Sequence, residues 1–196
     1  MRPLFTIHAG EFLVGEYIEN SYKSLNVWVP AKDTGVDLLI TDKSAKKATS
    51  IQVKLSRDYS KPEAVDDFDR ELIAGGWLLF DHEKIENSLA DWWVIILVSH
   101  ESRMKPQFIV IPPTELLSRL EKIHGKSKKY HFYPWVTKSG LCLDGRGIRK
   151  QDRISLSKRE FDLGPRDLSN FLNNWSCLAN LETEMCPKTH LSSGTR

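Results

Sequence analysis

The chain has 196 residues, 40% of them hydrophobic, and a formal net charge of +2 from 28 Lys and Arg against 26 Asp and Glu. This length and composition allow one substantial core, so we expect one domain with an appended subdomain and no second full domain. Cys142, Cys177 and Cys186 are widely spaced and form no C-x-x-C, which argues against a disulfide framework or a zinc site. The longest apolar run, residues 92–98, is far shorter than the ~20 residues that span a bilayer, and the N-terminus has no signal-peptide core. We therefore expect a cytoplasmic protein without a membrane partner.

The hydrophobic pattern predicts alternating helices and strands over the first 124 residues. A helix is expected at residues 8–18, with Phe12, Leu13, Tyr17 and Ile18 on its buried face. A three-strand meander, a helix that ends at Gly75-Gly76, two paired strands and a last helix follow, with expected ranges 25–30, 36–41, 49–55, 62–74, 92–98, 107–111 and 113–124. Such alternation indicates an α/β fold in which helices flank a mixed central sheet.

The periodicity weakens after residue 124. It returns to helical spacing over residues 165–181, whereas residues 182–196 are polar and are expected to be a disordered tail. We therefore divide the chain into a core at residues 1–124, an α-helical or irregular C-terminal extension packed on the core at residues 125–181, and the tail at residues 182–196.

Three polar side chains interrupt the apolar strands of the predicted meander. Asp37 lies at the start of the second strand, and Gln52 and Lys54 lie two residues apart inside the third. Because side chains alternate faces along a strand, Gln52 and Lys54 point the same way, and strand pairing brings Asp37 beside them. A carboxylate or ammonium is costly to bury unless it is paired or binds a metal. The pattern therefore indicates a metal-assisted site, with a structural Asp37–Lys54 ion pair as the alternative.

An acid on the predicted first helix completes the candidate set. Glu11 lies in the first turn, where the helix dipole favours a negative charge. Glu16 is a competitor, but it is five residues further on and cannot share a face with Glu11. Glu11 is therefore preferred.

The order of these residues resembles the restriction-endonuclease-like nucleases of the PD-(D/E)xK superfamily. Gly10-Glu11 on a helix, the segment Asp-Thr-Gly-Val-Asp at residues 33–37 and the triplet at residues 52–54 follow the order of its Holliday-junction-resolvase-like and Mrr-like branches. The resemblance covers residues 8–56. Val36 replaces the proline of the motif, and Gln52 replaces its second acid, as in a QxK variant.

The resemblance implies a Mg²⁺ site, with Mn²⁺ as a substitute. Asp37 would be the principal ligand, and the amide oxygen of Gln52 and the carbonyl of Val53 would complete the protein side. Glu11 would bind a metal-bound water or a second ion, and Lys54 would position the attacking water and offset charge on the phosphate. Because Gln52 is neutral, one tightly held ion is expected rather than two.

The chain between Lys122 and Arg159 is strongly basic, with eleven Lys or Arg against two Asp. Five aromatic or histidine side chains at residues 130–135 accompany these charges, a combination suited to phosphate contacts and base stacking. The alternative is a solvated surface whose aromatic side chains belong to the core. The expected DNA contacts are Lys126, Lys128, Lys129, Arg146, Arg149 and Lys150.

These features lead us to expect a Mg²⁺-dependent DNA endonuclease of the restriction or defence type. A resolvase-like enzyme that acts on branched DNA as a homodimer is an alternative, and a non-catalytic nucleic-acid-binding module that retains the nuclease fold is another. The missing second carboxylate at Gln52 favours the last of these.

Overall fold

The computed structural model describes residues 9–32, 34–56, 67–97, 105–157 and 161–182. Its helices are α1 (Ala9–Ser21), α2 (Asp67–Glu71), α3 (His82–Glu86), α4 (Pro113–His124), α5 (Lys150–Ser157) and α6 (Ala179–Glu182). Its strands are β1 (Leu25–Trp28), β2 (Leu38–Asp42), β3 (Ala48–Leu55), β4 (Leu72–Gly75), β5 (Leu78–Asp81), β6 (Trp92–Leu97), β7 (Gln107–Ile111), β8 (Lys129–Phe132), β9 (Pro134–Thr137) and β10 (Cys142–Asp144).

Five strands form the central sheet in the order β1-β2-β3-β6-β7. The first three are the antiparallel meander that the sequence predicts, with Leu38 opposite Ile51. β3 and β6 are parallel, and β6 and β7 are antiparallel, so the sheet is mixed. Helices lie on the sheet, which confirms the predicted α/β fold with a mixed central sheet flanked by helices.

One face of the sheet packs against α1 and the end of the described chain. Val14 and Ile18 of α1 are fully buried against strand residues such as Ile51 and Val94. Gly10 allows the close approach, because a Cβ there would lie 3.2 Å from side-chain atoms of both Val53 and Ile96.

The predicted buried face of α1 is partly wrong. Phe12 is 59% exposed, whereas Val14 and Glu11 point inwards. The helix is rotated because the small residue Gly10, rather than the larger Phe12, meets the sheet.

The other face of the sheet is covered over β6 and β7. The β5–β8 ribbon, an antiparallel pair of two strands, places Leu78, Phe80, Tyr130 and Phe132 in a core cluster with β6, β7 and α4. A separate three-stranded sheet of order β10-β9-β4 adjoins this layer.

The predicted helix at residues 62–74 is wrong in part. Leu72–Gly75 is strand β4, not the end of a helix, because it pairs with β9 and buries Leu72 and Ala74. Tertiary pairing overrides the local pattern here. Residues 62–66 of that prediction lie outside the described residues.

The C-terminal extension also differs from the prediction. Residues 129–144 supply three strands, so they are not irregular or helical; each strand has only three or four residues, and β9 and β10 are buried throughout, so no alternation of apolar and polar residues marks them in the sequence. Residues 165–181 form three short 3₁₀ turns and the start of α6 instead of one long helix. Asn173 explains the break: its N–H donates to the carbonyl of Phe108 at 2.6 Å, so its backbone is bonded to the edge of β7. Residues 183–196 of the predicted tail lie outside the described residues.

Candidate metal and nucleic-acid site

Asp37 lies where the ladder between β2 and β3 ends. Its backbone N–H donates to the carbonyl of Ile51 at 2.9 Å. Its carboxylate Oδ2 accepts from the backbone N–H of Val53 at 2.6 Å. The side chain therefore accepts a hydrogen bond from β3 that a backbone carbonyl would accept in a continued ladder. This bond fixes the carboxylate against β3, the strand that carries Gln52 and Lys54.

Asp37, Gln52 and Lys54 line one cleft of about 1050 Å³. Gln52 and Lys54 lie on the same face of β3, whereas Ile51 and Val53 belong to the core on the α1 side. The structure thus brings together three of the four predicted catalytic side chains. The ion pairs between described residues do not include an Asp37–Lys54 pair.

Lys54 is held by an aromatic side chain. Its Nζ lies 5.1 Å from the ring centroid of Trp93, which is 2% exposed. The Nε1 of Trp93 donates to Ser88 Oγ at 2.9 Å, which fixes the indole. A cation over an indole face is stabilised by the ring quadrupole, so Trp93 orients the ammonium towards the cleft.

Gly35 forms part of the same cleft and has φ of +84°. This left-handed conformation is easy only for glycine. A Cβ at Gly35 would lie 4.0 Å from Nε2 of Gln52, so the turn before Asp37 passes directly over the Gln52 amide.

Glu11 is placed apart from the other three. It is 9% exposed on α1, whose neighbouring residue Gly10 contacts Val53 and Leu55. Val53 lies on the face of β3 opposite to Gln52 and Lys54, whereas Leu55 lines the cleft; Glu11 itself does not line it.

The oxygen atoms at Asp37 suit a hard cation. With Oδ2 bound to the Val53 N–H, no donor among the described residues contacts Oδ1. A strand residue directs its N–H and C=O to the same side, so the carbonyl of Val53 faces the side where Asp37 lies. One carboxylate, one amide and one carbonyl are the oxygen ligands that Mg²⁺ accepts while it keeps several waters. Within the described ranges, no cluster of three or more His, Cys, Asp or Glu could hold a metal.

The opposite wall of the cleft is β5 and the residues that flank it. Its lining residues are Trp77, Leu79 and Asp81, together with Lys84 of α3, the helix that follows β5. None of these residues is among the site residues that the sequence predicts. The short apolar run Trp77-Leu78-Leu79-Phe80, which ends at Asp81 and precedes a helix, was a usable signal for a strand.

The six predicted DNA contacts fall into two groups. The first group, Lys126, Lys128 and Lys129, is exposed beside the cleft. Lys126 and Lys128 line a smaller pocket. This pocket shares Asp81 and Glu83 with the cleft. The N–H of His82 donates to the carbonyl of Lys128 at 3.0 Å and anchors this group.

The second group is committed to intramolecular contacts, with one exception. Arg146 is half-buried, and its Nη1 donates to the carbonyl of His131 at 3.3 Å. Arg149 pairs with Asp152 at 3.1 Å, and this hydrogen bond raises the pKa of Arg149. Lys150 is exposed at the start of α5.

Comparisons of the chain with protein-family models, with curated proteins and with solved structures find no match. Among the described residues, no helix combines the length and the apolar composition needed to cross a membrane.

Proposed function

We propose that this protein is a Mg²⁺-dependent endonuclease that hydrolyses DNA phosphodiester bonds. The observation that carries the proposal is the convergence of Asp37, Gln52 and Lys54 in one cleft, on two neighbouring strands, with the Asp37 carboxylate fixed by the Val53 N–H. A restriction or defence role follows only from the resemblance of residues 8–56 to the Mrr-like branch of the PD-(D/E)xK nucleases.

Each residue has a distinct role in the proposed reaction. Mg²⁺, when bound, polarises the phosphate and activates a water. Oδ1 of Asp37 would hold the ion, and the side-chain oxygen of Gln52 and the carbonyl of Val53 would serve as further ligands. Lys54, held on the face of Trp93, orients the attacking water and offsets the negative charge that grows on the phosphate. Glu11 would reach the site only through a water or a second ion, because it does not line the cleft.

Cleavage assays test the proposal directly. Purified protein is incubated with plasmid, linear duplex and branched DNA, with Mg²⁺, with Mn²⁺ and with chelator. We expect metal-dependent cleavage that Lys54→Ala abolishes while DNA binding stays close to that of the parent. Metal-independent cleavage, or undiminished cleavage by Lys54→Ala, would contradict the proposal. Strong preference for branched DNA, together with a dimer in solution, would favour the resolvase-like alternative.

A non-catalytic nucleic-acid-binding module is the second candidate. Two observations favour it: Gln52 is neutral, and Glu11 does not line the cleft. Of the four predicted catalytic residues, Asp37 is therefore the one that brings a carboxylate to the cleft. DNA binding without cleavage in any metal would support it.

The exposed lysines beside the cleft give an independent test of the nucleic-acid partner. If Lys126, Lys128 and Lys129 contact phosphates, the triple alanine variant should bind all sequences more weakly, and the slope of log K against log salt should fall by about one unit per lost contact. An Arg149→Ala control should change the slope little, because Arg149 is paired with Asp152. A triple variant with the salt slope of the parent would refute the contact.

A further inference from the structure

The β5–β8 ribbon has two chemically different faces. Its inner face is core, with Leu78, Phe80, Tyr130 and Phe132 all at most 8% exposed. The register pairs Leu79 with His131 and Asp81 with Lys129, so these four residues share the outer face. Leu79 is 47% exposed there, which is a large exposure for an apolar side chain in a strand.

A stacked ring pair continues this outer face. The rings of Trp77 and His131 are 6.3 Å apart with an interplanar angle of 21°, which is close to parallel. Both residues are half-buried, and within the described residues Nε1 of Trp77 and Nδ1 of His131 are buried without a hydrogen-bond partner, so ring contact rather than polar bonding holds the pair together. Trp77 and Leu79 both line the cleft that contains Asp37 and Lys54.

The charges along this path suit a polyanion. Lys54 and Lys84 line the cleft, and Lys126, Lys128 and Lys129 follow at the far end of the ribbon. Among the described residues, the acids on the same path are Asp37, Asp81 and Glu83. Asp37 is the proposed metal ligand, and Oδ1 of Asp81 accepts from the backbone N–H groups of Glu83 and Lys84. The five lysines therefore leave an excess of positive charge beside an apolar, aromatic wall.

We propose that the outer face of the β5–β8 ribbon binds a single-stranded DNA segment, with unpaired bases on Trp77, His131 and Leu79 and phosphates on Lys126, Lys128 and Lys129. The inference rests on the proposed action on DNA and specifies its substrate. Duplex DNA presents base edges and phosphates, whereas only unpaired bases offer the ring faces that an aromatic and apolar wall can stack on. From Trp77 to Asp81 the wall is about 13 Å long at ~3.3 Å per residue, which matches about four stacked nucleotides at ~3.4 Å each.

Binding to fluorescent oligonucleotides in chelator tests this substrate preference without cleavage. The probes are a single strand of about 20 nucleotides, the corresponding duplex, and the duplex with a single-stranded flap of about five nucleotides. We expect the parent to bind the single strand and the flap at least about tenfold more tightly than the duplex.

Three substitutions locate the binding face. Trp77→Ala should weaken single-strand binding about 5- to 150-fold, the range for loss of one base stack on an aromatic ring at about 1–3 kcal/mol. Leu79→Ser removes apolar contact with a base and should weaken single-strand binding about fourfold or more, the equivalent of at least one buried CH₂ group at ~0.8 kcal/mol. Neither should weaken duplex binding. Trp77→Phe keeps an aromatic face and should stay close to the parent. Ile154→Ser, at a residue that is 50% exposed on α5, is the matched control and should bind as the parent does.

Two results would overturn the inference: equal or weaker binding of the single strand relative to the duplex, or Leu79→Ser that binds as Ile154→Ser does. Because Leu79 is half-exposed, its substitution does not threaten the fold, and circular dichroism checks this. A protein that binds single strands through the ribbon yet never cleaves DNA would refute the proposed function alone. A protein that cleaves duplex DNA with Mg²⁺ but shows no ribbon-dependent preference would refute this inference alone.

Discussion

Asp37 has two tasks in the structure, and two substitutions separate them. Its Oδ2 satisfies the Val53 N–H at 2.6 Å, while Oδ1 is the proposed metal ligand. Asp37→Ala removes both and leaves a half-buried N–H without its acceptor, at a cost of about 1–3 kcal/mol. Asp37→Asn keeps a carbonyl oxygen for Val53, so its cost should be at most about 1 kcal/mol. Both variants lose the negative charge that holds Mg²⁺ and should lose cleavage and tight metal binding.

Thermal melts, calorimetric titration with Mg²⁺ and plasmid cleavage measure the three effects. For a chain of this length about 1 kcal/mol shifts Tm by ~2–4 °C, so Asp37→Ala should melt roughly 2–12 °C below the parent and Asp37→Asn within about 4 °C of it. An Asn variant that binds Mg²⁺ as the parent does would refute the metal assignment. An Asp37→Ala variant with the Tm of the parent would show that the hydrogen bond from Val53 to Asp37 does not stabilise the fold.

Two further substitutions test the surroundings of the site, and a third tests packing in the separate three-stranded sheet. Gln52→Glu should tighten Mg²⁺ binding in calorimetry, because an ionised oxygen is a stronger ligand than an amide; unchanged affinity would mean that Gln52 does not face the ion. Trp93→Leu should slow cleavage about 2- to 30-fold, the free-energy equivalent of a cation–π contact of ~0.5–2 kcal/mol; an undiminished rate would show that Trp93 does not orient Lys54. Gly145→Ala should lower Tm by roughly 2–12 °C, because its Cβ would lie 2.3 Å from the ring of Trp135; an unchanged Tm would exclude this close packing.

The central sheet was predictable because its signals are local. The strands of the meander β1-β2-β3 and of the pair β6 and β7 are four to eight residues long and carry alternating or continuous apolar residues, and α4 matches its predicted range, Pro113–His124. The convergence of Asp37, Gln52 and Lys54 followed from strand alternation and one pairing. Their proximity therefore needed no long-range information.

The second wall of the cleft depended on pairings that local patterns do not contain. β5 pairs with β8 about fifty residues later, and β4 pairs with β9 about sixty residues later. The sequence alone offers no means to bring Leu79 beside His131. The sequence also could not predict which face of α1 is buried, because this depends on the fit of Gly10 against Val53 and Ile96 rather than on the hydrophobic pattern of the helix.

The parallel pairing of β3 with β6 has a consequence for the order in which the molecule is made. Residues 56–91 connect these neighbours and carry β5, whose partner β8 begins only at Lys129. During translation the polar residues of β3 therefore leave the ribosome long before the strand that secures the facing wall. Contacts between such distant segments also close slowly. A nascent chain thus displays Asp37, Gln52 and Lys54 on an open sheet, and the enclosed cleft arises only after residues 129–132 have been made.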